Sequence, residues 1–305
     1  MKPCNRHDPR SAARAFTIIE IAICLGIIAF ALVAIIAALP RGLDVQKRNR
    51  EETIIGQDAS VWMSALRSGA QGYNDLTNYV MCITNFWTAY GANYKVTDKG
   101  FDYYTPSNSG ITSFTPAPTF LLTNGARIIG LLSMPKLMTI PPPGPPIPLP
   151  DFATPPFQSN YVVAYVRAMS GPAVDQAPQT NAIVLGDAFT YRMIVENYSY
   201  VPVDTNAFCL DCPAAPTNTD LLVGRTNLLY TIGLLATNSH DFRLRFRWPV
   251  LPNGQIGNYG AATFRVMAGG PLIETNDNNN VEPIQPLYFV RPSIYVQATN
   301  TVSSP

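Results

Sequence analysis

From Ile21 to Leu39 the chain runs for nineteen residues without a charge, and only Gly26 interrupts the apolar side chains. At about 1.5 Å per residue, a helix of that length reaches ~28 Å, roughly the hydrocarbon thickness of a bilayer. Pro40 closes the run. A discarded secretory signal usually has a shorter apolar region of roughly 7–15 residues, so the length predicts a membrane anchor over residues 16–39. The segment before it is basic: Lys2, Arg6, Arg10 and Arg14 stand against Asp8, a net +3 within residues 1–15. The whole chain is +1, so the remainder is +1 − 3 = −2. A body that is near neutral and slightly acidic has no electrostatic footprint for nucleic acid, and none is expected as a partner.

A carboxylate stands at the mouth of the apolar run. Glu20 would cost up to ~2.5–3.5 kcal/mol at the centre of a bilayer and less near its edge, so an acid there usually has a partner. The string around it is Ala15-Phe16-Thr17-Ile18-Ile19-Glu20, behind the basic leader. This string resembles the processing signal of type IV prepilins and pseudopilins, although Ala15 stands where Gly is usual. The resemblance implies that prepilin peptidase cuts between Ala15 and Phe16 and methylates the new amine. It also implies that Glu20 pairs with the N-terminal amine of a neighbouring pilin-like subunit. Two opposite charges in low dielectric register one helix against another, whereas either alone is costly. The signal further implies a cytoplasmic leader, a single pass through the inner membrane, and a C-terminal head in the periplasm or an extracellular filament. Charge alone does not orient the anchor, because Arg41, Lys47, Arg48 and Arg50 rival the leader from the far side.

After Pro40, Ile55, Ala59, Trp62 and Leu66 recur at four, three and four residues, with Ile54, Val61 and Ala65 beside them. That spacing predicts an amphipathic helix ending at Ser68-Gly69. Anchor and amphipathic half together predict one long helix over residues 16–67, kinked at Pro40, with a head over residues 70–305. Residues 70–130 read as irregular structure with short elements. The stretch Pro135–Pro156 holds ten of the 28 prolines, which predicts an extended loop unable to join a central strand: a stiff surface loop or a docking motif.

Strand-like runs follow at Tyr161–Ala168, Ala182–Leu185, Thr190–Val195 and Asn227–Leu235. The clearest alternation places Phe242, Leu244, Phe246 and Trp248 on one side and Arg243, Arg245 and Arg247 on the other. This predicts a half-buried strand with a cationic outer face, turning at Pro252-Asn253-Gly254 into a partner over Ala262–Met267. A last run, Pro286–Val296, would close the sheet. A long N-terminal helix on a C-terminal antiparallel sheet is an α+β, pilin-like arrangement. The His240–Gly254 segment with Phe264–Met267 also resembles a segment of the Verru_Chthon cassette proteins, prepilin-type proteins of Verrucomicrobia and relatives.

Little in the chain suggests catalysis. His7 and His240 are the only histidines, and no nucleophile elbow, phosphate loop, dinucleotide fingerprint or zincin motif occurs, so no enzyme is expected. Cys209 and Cys212 form a candidate short-loop disulfide, which leaves Cys82 over; free thiols, a redox pair, or a zinc site with Cys82 and His240 are the alternatives. Asn276, Asp277, Asn278, Asn280 and Glu282, with Glu274, make an oxygen-rich loop that is either a solvated turn or a calcium site, and no other cofactor is expected. The expected function is a structural minor pilin or pseudopilin subunit of a type IV pilus or type II secretion-like system. The alternative is a membrane-anchored adhesin or carbohydrate-binding module that does not polymerise.

Overall fold

A computed structural model of the protein describes residues 17–69, 73–91, 93–106, 120–139, 157–170, 189–199, 231, 233–251, 254–276 and 286–294. The chain divides into two compact units, Met1–Arg50 and Glu51–Pro305. One helix, α1 (Ile18–Ser68), contributes to both.

In the first unit, α1 is helical from Ile18 onward and continues through Pro40. Proline lacks the N–H that one turn of the ladder would use, yet the helix does not end there. Every described residue from Thr17 to Arg50 is exposed, including Ile27, Phe30, Val33 and Ile36.

The second unit is an α+β domain. Its sheet runs in the order β3-β2-β1-β5-β6-β7-β8, with β4 paired to β5. The strands are β1 (Val80–Tyr90), β2 (Val96–Thr105), β3 (Phe120–Leu121), β4 (Leu137–Thr139), β5 (Phe157–Arg167), β6 (Thr190–Ser199), β7 (Ser239–Val250) and β8 (Ile256–Gly269). All neighbours are antiparallel except β2 and β3, so the sheet is mixed rather than purely antiparallel. Residues 51–68 of α1 pack on one face, burying Ile54, Ile55, Ala59, Trp62, Ala65 and Leu66, as the helical period requires. The helix stops where predicted. Gly69 has φ 58°, and a Cβ there would lie 2.0 Å from the Val290 carbonyl oxygen, so only glycine fits this turn.

The same face receives α3 (Gly125–Leu132), capped by Asn124, whose side-chain oxygen accepts from Arg127 N–H at 2.8 Å. It also receives a two-stranded sheet of β9 (Leu272–Asn276) and β10 (Pro286–Val290). A short helix, α2 (Leu76–Tyr79), leads into β1.

Several expectations require correction. Residues 70–130 are not irregular: they hold β1 and β2, eleven and ten residues long, and the buried helix α3. Of the run Asn227–Leu235, the described residues are helical instead of extended, and the helix extends to residue 238. There the Asn238 side chain donates to the Leu234 carbonyl and the Thr237 hydroxyl to that of Gly233, one helical turn back. The last run does not close the main sheet, because β10 pairs with β9 alone. The start of the proline-rich stretch does join the sheet. Beyond Val162, strands β5 and β6 part, and Pro135–Thr139 fills the gap: Lys136 N–H donates to the Asn197 carbonyl, and Asn160 N–H donates to that of Lys136. Pro135 stands at the start of this inserted segment, where the ladder bonds are made by the Lys136 N–H and carbonyl and its own missing N–H is not called on.

Candidate functional site

The predicted assembly residues begin at the first unit. Ala15 and Phe16 lie outside the described residues. Glu20 is exposed in the first turn of α1. Its backbone N–H points back to Thr17, donating to the hydroxyl at 3.3 Å and to the carbonyl at 3.1 Å. Thr17 thus caps the helix, and Thr17-Ile18-Ile19-Glu20 has the spacing of a capping box. Sequence reasoning assigned Glu20 only to a neighbour's amine; a threonine three residues before a glutamate was the missed sign of this local role. Helix α1 is long and apolar enough to cross a membrane.

The amphipathic half is locked to the sheet by a polar junction. Trp62, with no exposed surface, donates its indole N–H to the Tyr191 hydroxyl at 3.0 Å. Asp58, equally buried, accepts from the Met169 N–H at 2.9 Å and from the Ser170 hydroxyl at 2.7 Å. Burial pushes the Asp58 carboxyl up against these hydrogen bonds, and burial beside Asp58 pushes the Tyr191 phenol well above its ordinary range. Asp58 was legible in principle. It sits inside the stripe Ile54-Ile55-Ala59-Trp62, where a charge must find partners.

The opposite face of the sheet is cationic, as the alternation in β7 predicts: Phe242, Leu244, Phe246 and Trp248 are buried, while Arg243, Arg245 and Arg247 are exposed. Two buried acids organise it. Glu196 on β6 binds Lys136 at 3.0 Å and also binds Arg245. Burial alone would raise the Glu196 carboxyl, but the hydrogen bonds from Arg245 and Lys136 outweigh it and hold it below its ordinary range. Asp241 on β7 binds Arg243 at 2.9 Å and Arg265 at 2.6 Å. Lys136 lies 4.9 Å from the centre of the Tyr161 ring and Arg243 lies 4.5 Å from that of Tyr198, both within cation–π range. Phe86 and Phe101 continue the face at 45% and 48% exposure. Glu196 belonged to no sequence pattern, since its partners come from other strands, whereas Asp241 has Arg243 two residues along its own strand and Arg265 across the β7–β8 pairing.

The remaining predicted sites are mostly beyond view. Cys209, Cys212, Asp277, Asn278, Asn280 and Glu282 lie outside the described residues; Asn276 ends β9 opposite Pro286. Cys82 is buried in β1, and burial raises its thiol to about 11, which makes it a poor nucleophile or ligand. His240 is 1% exposed on β7, and neither ring nitrogen has a well-formed hydrogen bond among the described residues. Burial lowers the imidazole to about 4, against a smaller opposing contribution from the Thr237 backbone. Among the described residues, no three His, Cys, Asp or Glu side chains are gathered as a metal site. No family model, curated protein or solved structure matches this chain.

Proposed function

We propose that this protein is a pilin-like structural subunit, a minor pilin or pseudopilin rather than an enzyme. Prepilin peptidase cuts it between Ala15 and Phe16, residues 16–39 hold it in the inner membrane, and it assembles with other pilin-like subunits through α1. One observation carries the reading. A 51-residue helix begins apolar and exposed all round, with one carboxylate at its mouth, and ends amphipathic and built into a sheet. The first part leaves Ile, Leu and Phe side chains without cover inside the chain, which lipid and neighbouring helices would provide.

Mass spectrometry of the mature N-terminus tests processing: a chain beginning at methylated Phe16 is expected. An intact leader, or loss of the whole apolar helix, sinks the proposal. Glu20 then separates assembly from capping. Glu20→Gln keeps a capping side chain and removes the charge, so it should fail to enter filaments as completely as Glu20→Ala. Normal incorporation of the Gln variant would leave Glu20 with the local role alone.

The exposed aromatic and cationic side chains of the sheet favour a second reading, a membrane-anchored adhesin that binds without polymerising. In that case subunit cross-links through α1 should be absent, and both Glu20 variants should behave as wild type.

A further inference from the structure

Among the described residues, charge on the outer face of β5–β8 does not balance, and the imbalance is localised. Seven cations lie on this face: Lys136 from the wedge, together with Arg167, Arg192, Arg243, Arg245, Arg247 and Arg265 from the strands. Its described acids are Glu196 and Asp241, and each is already engaged by two cations: Lys136 and Arg245 on the first, Arg243 and Arg265 on the second. Among the described residues, three arginines are left without an acid, and they are neighbours.

The register places them together. Arg192 stands directly opposite Arg247 in the β6–β7 ladder and opposite Tyr165 in the β5–β6 ladder. Arg167 pairs with Thr190, two residues along β6 from Arg192 on the same face. Directly opposed residues have Cβ atoms about 4.5–5.5 Å apart, and diagonal ones roughly 7–8 Å, so three guanidinium groups can converge on one point. Like charges directly opposed destabilise a sheet pair, and a buried donor without an acceptor costs about 1–3 kcal/mol. Both penalties are present, since the Nε of Arg192 is buried with no hydrogen-bond partner among the described residues. Arg167 is half-buried, and burial lowers its pKa.

We propose that Arg167, Arg192 and Arg247 form a binding site for a tetrahedral oxyanion, a phosphate or sulfate group, either free or as an ester on a polysaccharide. The guanidinium fork donates two parallel N–H groups to such an anion, and the anion would supply the acceptor that Arg192 lacks while cancelling the Arg192–Arg247 repulsion. The half-exposed Tyr165 beside them offers a ring edge to whatever carries the anion. Nothing in this site depends on processing of the leader.

The test uses the full-length protein in a neutral, sugar-free detergent. Sodium sulfate should raise the melting temperature of the head above its value in sodium chloride at equal ionic strength. Arg192→Gln/Arg247→Gln should abolish that difference and weaken dextran sulfate binding by about tenfold or more. Arg265→Gln, which removes an arginine already held by Asp241, should change neither. Dextran sulfate binding much more tightly per site than free sulfate would identify a polymeric source, and equal affinities a free anion. The proposal is overturned if sulfate and chloride act alike, if Arg265→Gln loses as much as the double variant, or if uncharged dextran binds as well as dextran sulfate. Should the double variant melt below wild type in chloride, Arg247→Gln alone, at an exposed side chain, carries the same comparison.

Discussion

Helix α1 is one covalent rod with two different relations to its surroundings. From Glu51 to Ser68 its apolar residues face the sheet and are buried; from Ile18 to Arg50 no described residue is buried at all. Both halves are helical for different reasons. The second is held by packing of one face, which usually supplies most of a helix's stability in a globular protein. The first is an apolar string that must close every backbone hydrogen bond within itself if it is to sit in lipid. Hydrophobicity therefore means core in one half and solvent-facing surface in the other. The periodicity of the pattern, not its strength, distinguishes them.

The sharpest way to break this contrast is to remove a large side chain from each half. Trp62→Ala should destabilise the head by roughly 3–5 kcal/mol, because it opens a cavity against Tyr191 and removes the indole N–H that donates to the Tyr191 hydroxyl. Leu32→Ala, in the exposed half, should leave the melting of the head unchanged by near-UV circular dichroism. Equal effects would mean that the first half belongs to the same cooperative unit.

A smaller effect follows from His240, and its sign is fixed. Its folded value is lowered from 6.5 to about 4, so the unfolded chain takes up the proton first as the pH falls. Stability from neutral His240 is present above about pH 6.5 and is lost progressively down to about pH 4, on the order of 3 kcal/mol in all. Urea titrations across that range should show the loss in wild type and not in His240→Gln. The apolar half of α1 holds no histidine, so His240→Gln should leave its helicity in micelles unaltered.

What the sequence disclosed follows the same division. The apolar run, the amphipathic stripe and its stop at Ser68-Gly69, and the alternation in β7 were all readable, because each is a one-dimensional pattern with one buried face. Strand β1 was hidden because Val80 to Asn85 is buried on both sides, which erases a period of two. The run ending at Leu235 is apolar and short, and its described residues fold as a helix, the usual ambiguity of such segments. The pairing of Glu196 with Lys136 and Arg245, and the meeting of Arg167, Arg192 and Arg247, depend on register between strands far apart in sequence. No local pattern contains that information.

Asp58 sharpens the contrast from the buried side. Asp58→Ala leaves the Met169 N–H and the Ser170 hydroxyl without their acceptor in a closed junction, at a cost of about 1–3 kcal/mol to the head. Asp44→Ala, on the exposed half of the same helix, should cost the head nothing measurable in the same denaturant titration.

The least effect belongs to Thr17, and it is informative because it should be local. Removing an N-cap hydroxyl typically costs about 0.5–2 kcal/mol, and here the bond lost is the one from the Glu20 N–H. Thr17 lies at the start of a segment without tertiary contacts, so this energy has no cooperative unit to act on except the first turns of α1. Thr17→Val should therefore speed amide exchange at Glu20 and its neighbours in micelles while leaving the head's melting temperature and the exchange of residues 54–66 unaltered. If protection at Trp62 fell together with that at Glu20, the two halves would be energetically one helix, and the exposed segment would owe its structure to the head rather than to its own apolar length.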